Sequence, residues 1–240
     1  MSLVQRFLLV VVLMVAPIVA SHAVETPYLT AEDVPLLDLL PPPPAPDSAA
    51  QQADMEAVVA AQAARTDASA EQAKADSLRS VMRFADVLGA GANDQALPVT
   101  KALFRQVARE TEELTDLAKA RYQRPRPFAT NAALHPLLVT PSDGSRPTGQ
   151  SPSYPSGHSA FAAVAGILLA GMVPEQRTAI FVRADTFAHN RLVAGVHFPS
   201  DIEAGRIAGT VIANALLHNP RFLADYDRSR TELRHALGLN

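Results

Sequence analysis

The 240-residue chain has no cysteine, which excludes disulfides, thiolate metal centres and cysteine nucleophiles together. Tryptophan is also missing, and aromatic residues make up only 5%. With alanine and leucine plentiful, that balance favours helix over sheet. Charged residues are few, at 19%, and the formal net charge is −3. No strong field therefore draws the chain to a nucleic-acid polymer or an anionic membrane. No alternating apolar and polar run is long enough for a strand. There is no GxxxxGK[ST] loop, no HExxH and no RHG segment, which removes the P-loop, the zincin and one histidine-phosphatase chemistry.

One long apolar run is present. Residues 7–20, FLLVVVLMVAPIVA, follow a single arginine and precede Ser21-His22-Ala23. This reads as a secretory signal peptide over 1–23, cleaved near Ala23. The run is short of the roughly 20 apolar residues of a comfortable membrane span, though an uncleaved anchor is the alternative. No cysteine follows it to carry a lipid. The expectation is a periplasmic or secreted bacterial protein with no stable membrane insertion.

Residues 24–47 read as a proline-rich extended arm, with PPPPAP at 41–46 favouring polyproline II. Leu36, Leu37, Leu39 and Leu40 give the arm an apolar side to lay on the body. Residues 48–240 read as a single all-α domain, a helical bundle. Asp47 or Ser48 caps a first helix to about Arg65, and a second fits 69–88 before Gly89. Thr100 caps a third to about Tyr122, in which Leu103, Phe104, Val107, Leu114 and Leu117 recur at helical spacing. Residues 123–153 hold most of the loop signals. Further helices fit 157–172, Pro174 to Ala194 with Gly195 as stop, and Pro199 to His218, with a short helix after them.

Three segments carry chemistry. In YPSGHSAF, residues 154–161, a turn runs into a helix, so His158 falls in a first turn where free amides and the positive dipole end suit an anion. A histidine there is placed to pass a proton; a capping turn with an incidental histidine is the alternative. KARYQRPRPF, residues 119–128, ends a helix with Lys119, Arg121, Arg124 and Arg126, and its prolines stiffen the direction of Arg126. A solvated basic helix end would look the same. In NRLVAGVHFPSD, residues 190–201, Asp201 lies four residues beyond His197. That spacing lets a carboxylate fix the imidazole tautomer, although Asp201 also suits simple helix capping. Two histidines and an aspartate are a metal-ligand set as well, but the cations beside them ask for a multiply charged anion instead.

The ordered pattern Lys119–Arg126-Pro127, then Pro155-Ser156-Gly157-His158, then Arg191–His197–Asp201 resembles the type 2 phosphatidic acid phosphatase superfamily, which also contains the vanadium haloperoxidases. SYPSGHS is further similar to the signature of the class A bacterial non-specific acid phosphatases. The resemblance implies a metal-independent acid phosphatase with no cofactor, acting on small phosphomonoesters, with transfer to other alcohols left open. It implies that His197 attacks phosphorus to form a phosphohistidine, that Asp201 holds its tautomer, and that His158 protonates the leaving alcohol. Lys119, Arg126, Ser156, Gly157 and Arg191 would bind the phosphoryl oxygens. A homo-oligomer is left open. Asn190 stands where the family usually has serine, and Ser159 where the class A signature has threonine. A lipid phosphate phosphatase, a vanadate-dependent haloperoxidase and a phosphate-binding protein without turnover remain as alternatives. The other histidines, His135, His189, His218 and His235, match no motif and read as surface or core.

Overall fold

The computed structural model describes residues 26–140 and 147–239; the expected signal segment lies outside them. The described residues form helices and connecting segments, with no strand among them. The arm contains one helical turn, α1 (Leu36–Leu39), and lies on the body. Val34, Leu36 and Leu40 are buried, whereas Leu37 and Leu39 stay about half exposed. At its start, the Tyr28 and Leu29 amides donate to the Glu110 carboxylate, and the Tyr28 hydroxyl donates to Asp225. Further along, the Tyr122 hydroxyl donates to the Leu40 carbonyl and that of Tyr154 to the Pro41 carbonyl.

Helix α2 (Ala49–Ala63) starts where Ser48 accepts the Gln51 amide. The single helix expected over 69–88 is instead broken. Helix α3 (Asp67–Ala75) starts at Thr66, and Ser69 returns its bond in a capping box. It stops at Asp76, a 3₁₀ turn follows at Val81–Phe84, and α4 (Ala85–Leu88) closes at Gly89, whose φ of 103° suits glycine alone. The cause of the break is tertiary. Asp76 is fully buried and accepts from Arg183, Arg83 and Asn190, partners that all lie outside α3.

Helix α5 (Pro98–Tyr122) begins one turn before the expected cap. Pro98 occupies its first turn, where a missing N–H costs nothing. Thr100 is buried inside it, with its amide and hydroxyl donating to Glu232. Leu103, Phe104, Val107 and Leu114 face the core, but Leu117 is 45% exposed. Helix α6 (Pro127–Thr130) is one turn long.

Helix α7 (Gly157–Met172) is the centre of the bundle; Ala160, Phe161, Val164, Ala165, Leu168 and Leu169 are wholly buried. Burying a residue such as Phe161 stabilises the fold by about 1.5–3 kcal/mol. Helix α8 (Arg177–Val193) and helix α9 (Pro199–Leu216) pack on either side. Helix α9 approaches α7 through glycines: a methyl on Gly205 would overlap the Ser156 carbonyl oxygen and lie 2.8 Å from Ser159 Cβ. Helix α10 (Pro220–Ala236), expected to be short, has 17 residues and packs Phe222, Tyr226 and Leu233 onto α5 and α7.

Candidate active site

The three sequence segments converge on one narrow cleft at the N-terminus of α7. Its lining includes Arg79, Glu112, Lys119, Arg126, Gly157, His158 and His197. Its volume is about 30 Å³, against about 700 Å³ for an apolar groove on the outer side of α7, α8 and α9.

The end of α5 supplies the cations. Gln123 adopts a left-handed conformation (φ 47°) that ends the helix, and Arg124 and Arg126 then run inward and are buried. Lys119 is 5% exposed, 3.3 Å from Asp116. Burial pushes its pKa down to about 8, against the pull of Asp116 and with help from the charges of Arg126 and Arg79. Arg126 is fixed through Nε to the Ser151 carbonyl (2.7 Å) and through Nη1 to the Val196 carbonyl (2.8 Å).

At the start of α7, Ser156 is the N-cap. Its hydroxyl oxygen accepts the Ser159 amide at 3.2 Å, and its own amide donates to the Asp201 carbonyl at 2.9 Å. The Ser156 oxygen thus caps the helix, a role that uses a lone pair and not the O–H donor expected to meet phosphate. Gly157 and His158 follow; their first-turn amides lack intrahelical acceptors. His158 Nε2 lies 2.9 Å from the Ser77 carbonyl, and the ring stacks 6.3 Å from Phe187. Since a carbonyl only accepts, Nε2 carries the proton, leaving Nδ1 to exchange one. Burial, reinforced by Arg191 and Arg79, holds His158 well below 6.5.

Gly195 (φ 69°) turns the chain after α8, so that the Val196 amide returns to the Arg191 carbonyl and His197 points inward. His197 is 2% exposed. Its Nε2 lies 3.3 Å from Arg126 Nη1, and its Nδ1 lies 3.4 Å from both Asp201 Oδ2 and Ser153 Oγ. Arginine can only donate, so Nε2 presents a lone pair and Nδ1 holds the proton. Burial, then Arg126, pushes the pKa of His197 down to about 3, with Asp201 opposing. Asp201 is fully buried. It accepts from Arg124 (2.6 Å), the Ser153 hydroxyl (2.5 Å) and the Phe198 amide (2.8 Å). Burial raises its pKa, but these donors and His197 win and the net shift is downward. Asp201 thus caps α9 and faces His197 at once.

Arg191 is 1% exposed and donates to the Ala73 carbonyl. Burial lowers its pKa to about 10, and its charge still reaches His158. Asn190, in the serine position, donates to Asp76 at 2.7 Å. His189 is exposed and lines the separate apolar groove; His135, His218 and His235 are also exposed.

Sequence reasoning missed Arg79, Glu112, Ser77, Ser153, Asp54 and the inward role of Arg124. Arg124 joins Asp201 to the buried Asp54 (2.7 Å) and stacks over Phe198 at 4.2 Å. Its only signal was the doubled Arg-Pro of 124–127. Ser153 opens the SYPSGHS stretch but was given no role there, and the remaining four sit in segments without a motif.

Comparison with known proteins adds a second line of observation. The PAP2 superfamily matches residues 105–224. The chain is 30% identical over 226 residues to a non-specific acid phosphatase of Salmonella typhimurium, covering 92% of this chain and 89% of that one. It is 30% identical over 234 residues to the non-specific acid phosphatase of Salmonella typhi, covering 95% and 92%. A solved PAP2-type phosphatidylglycerolphosphate phosphatase from Bacillus subtilis is a looser likeness, with a TM-score of 0.44 and 23% identity over 70% of this chain and 85% of that one.

Proposed function

The chain belongs to the PAP2 superfamily, and on that premise we propose that it is an exported acid phosphatase that cleaves small phosphomonoesters through a phosphohistidine on His197, without a metal. The observation that carries the reading is the cleft itself. Two neutral imidazoles, a buried lysine, a fixed arginine and a helix N-terminus line one space on the scale of a single small oxyanion. The names of the relatives point to the same activity.

The chemistry follows from the tautomers. His197 Nε2 attacks phosphorus; the P–O bond to the leaving alcohol breaks as the P–N bond forms. The imidazolium that results keeps its Nδ1 proton toward Asp201, whose depressed pKa keeps it anionic. The leaving oxygen takes a proton from Nδ1 of protonated His158. That ring is neutral in the free site, so the incoming dianion has to draw the proton onto it. In the second half, His158 Nδ1 takes a proton from water, the oxygen attacks phosphorus, the P–N bond breaks and phosphate leaves. Lys119, Arg126 and the charge of Arg191 stabilise the equatorial oxygens, together with the Gly157 and His158 amides. Because the cleft admits little beyond the phosphoryl group, the rest of the ester stays at its mouth and broad specificity follows. Export rests on residues 1–23.

The test is p-nitrophenyl phosphate turnover between pH 4 and 7, with and without a chelator, on wild type and His197→Ala. We expect chelator-resistant turnover, loss of at least about a thousandfold in the variant, and an acid-labile phosphoryl group trapped on wild type alone. Wild type without turnover, or a variant that retains it, would refute the reading.

A further inference from the structure

We propose that Arg79 is a further phosphate-binding cation of this cleft, one that no sequence motif assigns, with Glu112 as its built-in competitor. The inference rests on the phosphatase reading above. Arg79 lies on the segment between α3 and the 3₁₀ turn, two residues past the Ser77 carbonyl that holds His158. Its side chain is only 11% exposed and lines the cleft with Lys119, Arg126 and both histidines. One nitrogen, Nη2, is 2.5 Å from Glu112 Oε2. The other, Nη1, lies 3.6 Å from the position a methyl group on Gly157 would take, with Lys119 Nζ and Thr115 Oγ1 each 3.4 Å from it. The two cations therefore flank one point beside Gly157, at the first turn of α7, where helix amides lack intrahelical acceptors. Its charge reaches Lys119, His158 and Arg191.

Glu112 is the counter-charge. It holds Arg79 in the cleft, yet it also places a carboxylate beside any arriving dianion. A purely structural pair would lose function when either partner is changed. A ligand-binding arginine held by a competing carboxylate responds with opposite signs. Arg79 sits two residues from the carbonyl that holds His158.

The experiment measures competitive inhibition by inorganic phosphate in wild type, Arg79→Met and Glu112→Gln, alongside KM, kcat and melting temperature. Losing a hydrogen bond to a charged group should raise the Arg79→Met inhibition constant and KM about tenfold to a hundredfold. Glu112→Gln should tighten phosphate about threefold, and that variant alone decides the matter if Arg79→Met does not fold. Unchanged inhibition in both, or weakening in both, overturns the inference. A wild type that is inhibited by phosphate while the variants move together removes this inference only. A wild type that neither turns over p-nitrophenyl phosphate nor responds to phosphate removes the phosphatase reading and this inference with it.

Discussion

Replacing Asp76 with asparagine tests how much of the molecule hangs on one carboxylate. Asp76 is fully buried and accepts two bonds from Arg183 (2.6 and 3.0 Å), one from Arg83 (2.8 Å) and one from Asn190 (2.7 Å). Arg183 is itself 4% exposed, and among the described residues its only other anion is the exposed Asp86 at 3.3 Å. Neutralising the carboxylate leaves a buried guanidinium with little compensation, which costs about 3–5 kcal/mol. At about 2–4 °C per kcal/mol for a chain of this size, the melting temperature should fall by roughly 6–20 °C. Burial raises the pKa of Asp76, but Arg183, Arg83 and Asn190 outweigh it, so its folded pKa lies below the ordinary 3.8. A depressed carboxylate contributes stability above its unfolded pKa and loses it as pH falls through the folded one. The gap between wild type and variant should therefore be level from pH 7 down to about 4 and close below that. Urea unfolding at pH 7, 5 and 3 reads both effects. A melting shift under about 3 °C, or a gap as wide at pH 3 as at pH 7, would refute the reasoning. Kinetics on the folded fraction should also suffer, since the turn at Asp76 positions the Ala73 and Ser77 carbonyls that hold Arg191 and His158.

Two other expectations are independent of that hub. Lys119, pushed to about 8 by burial, is charged below that pH and loses its charge above it; phosphate inhibition should weaken as pH rises through about 8. Lys119→Arg should abolish that inflection, and its persistence would place the titration elsewhere. Gly205→Ala drives a methyl into the Ser156 carbonyl, so α7 and α9 must part; overpacking of this kind costs about 1–3 kcal/mol. Turnover should fall along with the melting temperature, because the Ser156 amide to Asp201 carbonyl bond spans the same seam. An unchanged melting temperature and kcat would show the seam to be slack.

The sequence made legible what local rules govern. Helices α7, α8 and α9 were readable from period, proline and glycine, and their ends carry Gly157, His158, Arg191, His197 and Asp201. Local rules failed at 69–88. Alanine-rich spacing there favours one helix, yet Asp76 answers to Arg183 and Asn190, more than a hundred residues away. The break it forces turns Ser77 and Arg79 toward the cleft, and no short-range signal encodes that. Thr100 shows the same limit on a smaller scale: it has cap chemistry, but its partner is Glu232. Ser156 carries cap chemistry and uses it, its oxygen accepting the Ser159 amide.

The clasp at residues 26–29 has a consequence for biogenesis. Tyr28 grips Asp225 across 197 positions of chain, and Asn219 and Arg221 hold the Tyr28, Thr26 and Pro27 carbonyls. A ribosome delivers that stretch long before its receptors at 219–225. The clasp cannot close until residue 225 has been made, and contacts of such long reach form slowly. Until then α5 and α10 lack the restraint that the clasp places on them.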